Sequence, residues 1–296
     1  MSTVTHTAAV QRAATDTAQP RPRRRKGNAL RYTVVGVLGL IWLLPLYLVL
    51  VNAFRPSTSY TGQGLWKPSA HFALLGNFAK AWDAAALGQS LTATVLYSVV
   101  APAIAALVGA LAGYAITILQ LRRGFLWFML IYGSVVFPAQ MLLMPLFVGY
   151  ADLNLFDSRI GLVLVYVAVD VPLATFVMRN FFMSAARSVF ESGLMDGANP
   201  WTIFWRIYLP MCRAGVAAIF VLEFTFVWND LLFGMVLSQS DGIRPLMTSL
   251  STLSNPYAGI TVPVILAGGL ILSLPTIALF IATQKLFAKG LTLAQL

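Results

Sequence analysis

The chain has 296 residues, 58% of them hydrophobic and only 10% charged, where a soluble domain carries about 25% charged residues. Such a chain would aggregate in water, which excludes a soluble globular protein and makes the bilayer its solvent. The net charge of +10 raises nucleic-acid binding as a reading, but the distribution of the basic residues, set out below, excludes it. Cys212 is the sole cysteine and His6 and His71 the sole histidines, so neither a disulfide framework nor a metal site is expected.

Residues 1–29 are polar, aperiodic and end in Arg21-Pro22-Arg23-Arg24-Arg25-Lys26, and they read as a disordered basic cytoplasmic tail. The run serves as a topology signal or as a contact for anionic membrane lipid. The remainder, 30–296, is one transmembrane domain. Apolar stretches at about 32–54, 90–118, 125–148, 160–183, 214–237 and 261–284 are each long enough to cross a core of about 30 Å. Backbone groups in lipid must pair within their own segment, so the spans are helices and the fold class is an all-α polytopic membrane protein of six spans. No alternation suggesting a β-barrel is visible.

Orientation follows from the cations. With the N-terminus in the cytoplasm, the inner side holds Arg12, Arg21, Arg23, Arg24, Arg25, Lys26, Arg31, Arg122, Arg123, Arg179, Arg187, Arg206, Arg213, Lys285 and Lys289. The outer side holds Arg55, Lys67, Lys80, Arg159 and Arg244. Fifteen against five, the whole set of 20, places both termini inside and accounts for the net charge without nucleic acid. The outer loop at about 55–89 is long and carries Trp66 and Trp82, suited to the headgroup level.

The inner loop, 184–213, is the most informative segment. Ser188 with Glu191 three residues on fits a capping box. Gly197 permits a tight turn. Asn199-Pro200 opens a second helical piece, Trp201, Phe204, Trp205 and Tyr208 form a stripe at helical spacing, and Pro210 ends the piece. This helix–turn–helix is either an amphipathic connector under the bundle or a docking element for a cytosolic partner.

Its residues resemble the signature loop of the permeases of ATP-binding-cassette importers: Glu191-Ser192-Gly193, then Asp196-Gly197-Ala198, Phe204, and Ile207 with Leu209-Pro210. Gly197 stands six residues after Glu191, and Ile207 sixteen after. Ser192-Gly193 replaces the usual Ala-Ala; both are small, so close approach to a partner is preserved, although Gly193 costs roughly 1 kcal/mol of helix propensity. Val227-Trp228-Asn229-Asp230 resembles an element of the maltose-type carbohydrate permeases, and Gly290-Leu291-Thr292 resembles that group's tail. The resemblance covers about 30–296. It implies a coupling helix between spans four and five, with Glu191 in charged contact with an ATPase dimer. It further implies a sister permease, an extracellular substrate-binding protein and location in a bacterial or archaeal cytoplasmic membrane.

No Gly-x-x-x-x-Gly-Lys-Ser/Thr loop occurs, so the chain does not supply that ATP site itself. The resemblance implies that ATP and Mg act in a separate ATPase subunit and that this chain is a transport subunit rather than an enzyme, with no cofactor of its own. Asp170 and Glu223 each lie about ten residues into a span, which is about 15 Å deep. Each lines a substrate path as an acceptor for hydroxyl groups, or pairs within the bundle. Asn229 and Asp230 are shallower path candidates. Pro172 and Pro275 free backbone carbonyls, lining a cavity or merely kinking a helix. The reading is import of a sugar or oligosaccharide. Its alternatives are another solute (glycerol phosphate, polyamine, amino acid), a carrier of another class, or an intramembrane enzyme, for which no in-span His or Cys is present.

Overall fold

The structure is a computed structural model and describes residues 27–293; the basic run at 21–26 and the tail before it lie outside the described residues. No strand occurs among the described residues. The helices are α1 Gly27–Ala53, α2 Leu74–Ala84, α3 Leu87–Thr117, α4 Gly124–Gly133, α5 Ala139–Asp152, α6 Arg159–Ser184 and α7 Arg187–Met195. After them come α8 Pro200–Met211, α9 Arg213–Trp228, α10 Leu232–Leu237, α11 Leu246–Thr252 and α12 Val262–Leu293. The chain divides into two units, 1–48 and 49–296. Of the first, α1 is a continuous apolar helix with Pro45 inside it, and its residues 31–46 are exposed.

In the second unit α3 and α6 lie side by side. A Cβ on Gly109 would stand 2.5 Å from the Ala174 Cβ, and one on Gly113 2.8 Å from the Arg179 nitrogen. Numbers rise together along both helices, so they run parallel, and glycine is what lets their backbones approach. α9 runs against them: Gly215 meets Phe181, Ile219 packs with Ala106 and Ala174, and Val227 joins the cluster of Tyr97 and Tyr166. One end of this bundle collects Arg122, Arg123, Arg179, Arg187, Arg206 and Arg213, and is called the basic end below.

Two of the six apolar stretches are not single helices. The third, expected over 125–148, is broken: Gly124–Val136 and Ala139–Asp152 meet at 95°. Pro138 is the cause, because a residue before proline is driven from the helical region, and Phe137 is extended at φ −78°, ψ 119°. The fifth, expected over 214–237, stops at Trp228 and restarts at Leu232. Asp230 sits in the gap and accepts from the amides of Phe233 at 3.3 Å and Gly234 at 2.9 Å, and from the Tyr166 hydroxyl at 2.8 Å. Among the described residues four helices are long and apolar enough to cross a membrane, or up to six when each bent pair is one span. The other bent pair is α8 with α9, at 74°, so Pro210 does not end the helical piece as expected; the helix runs on to Met211 and turns at Cys212.

The long loop of 55–89 is more ordered than its composition suggests. Arg55 donates to the carbonyls of Gln63, Gly64 and Lys67, and the Asn77 amide donates to those of Ala53 and Arg55 at 3.0 and 2.7 Å. Ala86, at φ 48°, separates α2 from α3, which starts at Leu87 rather than 90. Within α12 the Trp228 indole donates to the Leu272 carbonyl at 3.1 Å, one residue beyond the carbonyl that Pro275 frees. The Gly290-Leu291-Thr292 segment continues α12 as helix.

Candidate functional site

At the basic end, α7 and α8 form a two-helix unit fastened to the bundle by aromatic rings. The Tyr114 ring, from α3, lies 5.1 Å from Phe204, 5.4 Å from Tyr208, 6.0 Å from Phe182 and 6.4 Å from Phe190. Such pairs add about 0.5–1.5 kcal/mol each beyond the area they bury. The two tyrosine hydroxyls then tie down the chain: Tyr114 donates to the Pro200 carbonyl at 3.0 Å, and Tyr208 to the Ala186 carbonyl at 3.1 Å. The start of each helix in the unit is thereby held. Tyr114 escaped the reading of the sequence because it sits inside an apolar span and carries no local motif.

The turn between the helices closes as a Schellman motif. Gly197 stands at φ +81°, its amide donates to the Leu194 carbonyl, and the Ala198 amide donates to that of Gly193, each at 3.0 Å. Asn199 caps α8 by accepting from the Thr202 amide at 2.7 Å, with Pro200 at the first helical position, as the sequence suggests. The capping box at Ser188 does not form. Helix α7 begins a residue earlier at Arg187, its cap is Ala186 without a side-chain bond, and Glu191 instead accepts from Arg187 Nε at 3.1 Å. One turn of α8, Phe204–Tyr208, widens to π geometry. It lies directly ahead of Pro210, whose ring would crowd the Arg206 carbonyl in a regular turn.

The sequence-predicted coupling residues therefore divide by position. Glu191, Ser192, Asp196, Gly197 and Pro210 are exposed, Ala198, Ile207 and Leu209 half-buried, and Gly193 and Phe204 buried. Gly193 does not leave room for a partner, as the sequence reading had it. A Cβ there would stand 3.0 Å from Ile203 Cδ1, so the small residue serves the packing of α7 on α8. The exposed face adds Met195, 87% exposed, and Trp201, 59% exposed. Met195 carries no motif and is singled out by its size and exposure, whereas Trp201 belongs to the aromatic stripe legible in the sequence.

The path candidates lie elsewhere. Asp170 on α6 and Glu223 on α9 are each one turn from the Ala174–Ile219 contact, towards the opposite end, so the antiparallel helices carry them at one level. Both are buried, and Asp170 Oδ2 and both Glu223 carboxylate oxygens find no hydrogen-bond partner among the described residues. Pro172 is buried on α6 beside them, whereas Pro275 is exposed on α12. Asn229 is exposed and donates to the Thr225 carbonyl at 2.7 Å. Asp230 is enclosed, and its acceptors are engaged by Tyr166 and the start of α10, which makes it a cap rather than a lining group. A cavity of about 670 Å³ opens among Leu107, Leu209, Arg213, Phe220 and Leu279 and includes neither Asp170 nor Glu223. Its walls are almost wholly apolar and offer a polyhydroxyl solute few partners. No cluster of metal ligands occurs among the described residues.

Comparison with known proteins places this architecture. Residues 105–292 match the family described as the binding-protein-dependent transport system inner membrane component. The diacetylchitobiose uptake system permease protein of Streptomyces coelicolor is 30% identical over 72% of this chain and 70% of its own length. An arabinooligosaccharides transport system permease protein of Halalkalibacterium halodurans is 28% identical, over 86% and 91%. Among solved structures, a bacterial ABC transporter involved in the import of the acidic polysaccharide alginate superimposes with a TM-score of 0.72, covering 91% of this chain and 99% of the matched one; at 23% identity it shows the fold. The chain belongs to the family of binding-protein-dependent transport inner-membrane components and is a multi-pass membrane permease, a transport subunit.

Proposed function

We propose that the chain is a permease subunit of an ATP-driven importer of a sugar or oligosaccharide, and that the α7–α8 unit is its contact with a separate ATPase. One observation carries the second part: the unit is fastened to α3 and α6 by the Tyr114 ring cluster and two tyrosine hydroxyl bonds, while its far face shows Glu191, Met195, Asp196 and Trp201 to the surroundings. A segment rigidly joined to the spans and open on its other side can transmit a push. The sugar rests on the diacetylchitobiose and arabinooligosaccharide relatives.

In this reading both termini and the basic end are cytoplasmic, in keeping with the bias of Lys and Arg. A sister permease completes the path, an extracellular binding protein delivers the solute, and ATP and Mg act in the ATPase dimer. Closure of that dimer displaces α7–α8, and the displacement passes through Tyr114 and Phe182 into α3 and α6, which separate from α9 and expose the level of Asp170 and Glu223.

Cys212 is buried and the sole cysteine, which makes the test direct. In a Cys212→Ala background, Met195→Cys alkylated with a maleimide–benzophenone reagent forms on illumination, by insertion into a C–H bond, a cross-link to the copurified ATPase that changes in yield with ATP. A cysteine at Tyr257, exposed at the opposite end, forms none. Absence of a cross-link at Met195 in an assembled, transporting complex overturns the docking role. Transport by the chain alone in liposomes overturns the ATP-driven reading.

A further inference from the structure

A second cavity, about 410 Å³, opens at the basic end where the last turns of α3 and α6 meet the start of α7. Two arginines line it. The Arg179 guanidinium lies over the Phe128 ring, 4.5 Å from its centroid, and its Nε is buried with no hydrogen-bond partner. Arg187 uses Nε for Glu191, which leaves its two terminal nitrogens without a partner among the described residues. Gln120 adds an amide, and no carboxylate lines the space. Glu191, bonded to Arg187 from outside the cavity, is the acidic group that faces these cations. Two guanidiniums facing one cavity repel each other and present a surplus of donors, an arrangement stabilised by a tetrahedral oxyanion.

The rim identifies where that oxyanion comes from. Phe125 and Met183 border the cavity and are 71% and 60% exposed, and apolar α4 and α6 continue away from it. A polar, cationic floor beside an exposed apolar wall at a membrane-helix end matches a phosphate headgroup with its acyl chains. We propose that this cavity binds the headgroup phosphate of an anionic phospholipid in the leaflet at the basic end, through Arg179 and Arg187. The phosphate takes the terminal nitrogens of Arg187 while its Nε holds Glu191, so lipid occupancy fixes the side chain that braces the first turn of α7. That consequence rests on the docking role of α7–α8, whereas the binding does not.

The test uses the full-length chain with its partner subunits in nanodiscs of mixed dioleoylphosphatidylcholine and dioleoylphosphatidylglycerol, with retained lipid read by native mass spectrometry. Phosphatidylglycerol is retained selectively. Arg179→Gln lowers its apparent affinity about tenfold, the loss of one charge-assisted contact, and Arg206→Gln, at the same end but outside the cavity, leaves it unchanged. If Arg179→Gln does not fold, Arg187→Gln at its exposed position carries the same expectation. Equal retention of the two lipids overturns the proposal, as does unaltered retention in the arginine variants. A titration with inorganic phosphate separates the other source: protection of the site by free phosphate with no selective lipid retention also overturns it. Loss of the ATPase cross-link at Met195 with lipid binding intact counts against the docking role alone.

Discussion

Gly197 shows how one backbone angle decides the geometry of the exposed unit. At φ +81° an L residue pays about 1–2 kcal/mol for the left-handed region, so Gly197→Ala is expected to lower the thermal midpoint of the purified complex modestly. Proline cannot reach that angle and also removes the amide that donates to Leu194. Gly197→Pro therefore leaves membrane insertion intact and abolishes substrate-stimulated ATP hydrolysis. Insertion is read by membrane fractionation and hydrolysis by phosphate release; normal stimulated turnover would count against the unit's role. Asp230 gives the contrasting case of a residue whose carboxylate serves the fold. Tyr166→Phe removes one of its donors and costs about 1 kcal/mol, whereas Asp230→Ala strands the Tyr166 hydroxyl and the first amides of α10 and costs about 2–4 kcal/mol, both measurable as shifts of thermal unfolding in detergent. From the sequence, Asp230 and Glu223 are the same kind of clue, an acid near a membrane span. Depth separates them in the sequence, and the three donors around Asp230 show that its carboxylate is engaged in the fold.

At the scale of elements, hydropathy locates the apolar stretches but not their breaks. A window long enough to recognise a span averages over the two residues that turn it, so Pro138 was hidden within 125–148 even though proline is a legible breaker. The turn of α7–α8 was legible because its signals are local: Gly197, Asn199 and Pro200 each act on their own neighbours. The capping box failed because Ala186, not Ser188, occupies the cap, and the Glu191 that would complete the box pairs one turn back with Arg187. The tertiary partners, Tyr114 above all, carry no local signal. Another long-range element is the clamp between the α5–α6 turn and the segment after α10. Asp157 accepts from the amides of Gln239 at 2.8 Å and Ser240 at 2.9 Å and from the Ser240 hydroxyl. Burial opposes its ionisation, but those hydrogen bonds and the Arg244 guanidinium outweigh burial and hold the carboxyl below its usual value. A depressed folded-state value means that the clamp's contribution is present above the unfolded value, near about 3.9, and is lost as pH falls through the lower folded one. Thermal stability is expected to drop below about pH 4, with Asp157→Asn less stable at neutral pH and flatter across that window. Parallel pH profiles for the two proteins would sink this account.

For the molecule as a whole, the question is why two carboxyls are retained in the packed middle of the second unit. Asp170 and Glu223 are buried at one level on α6 and α9, and three of their oxygens have no partner among the described residues. An unsatisfied buried polar group costs about 1–3 kcal/mol, and an apolar residue of similar size removes that cost. Glu223→Leu is therefore expected to raise the thermal midpoint of the assembled complex. If packing were the whole role of the site, transport would survive the change. In an alternating permease the same level must also exist in a state where α6 and α9 part and water enters, and there a leucine is exposed and offers no acceptor to a hydroxyl-rich solute. The variant should thus be more stable and transport at least about tenfold more slowly, the equivalent of one lost charge-assisted hydrogen bond, while Glu223→Gln retains more of the rate because its amide oxygen still accepts. Stability from unfolding curves and uptake of labelled sugar into proteoliposomes are read on the same preparations. A Glu223→Leu protein with wild-type uptake removes these carboxyls from the path, and one that is less stable than wild type shows that they have partners beyond this chain.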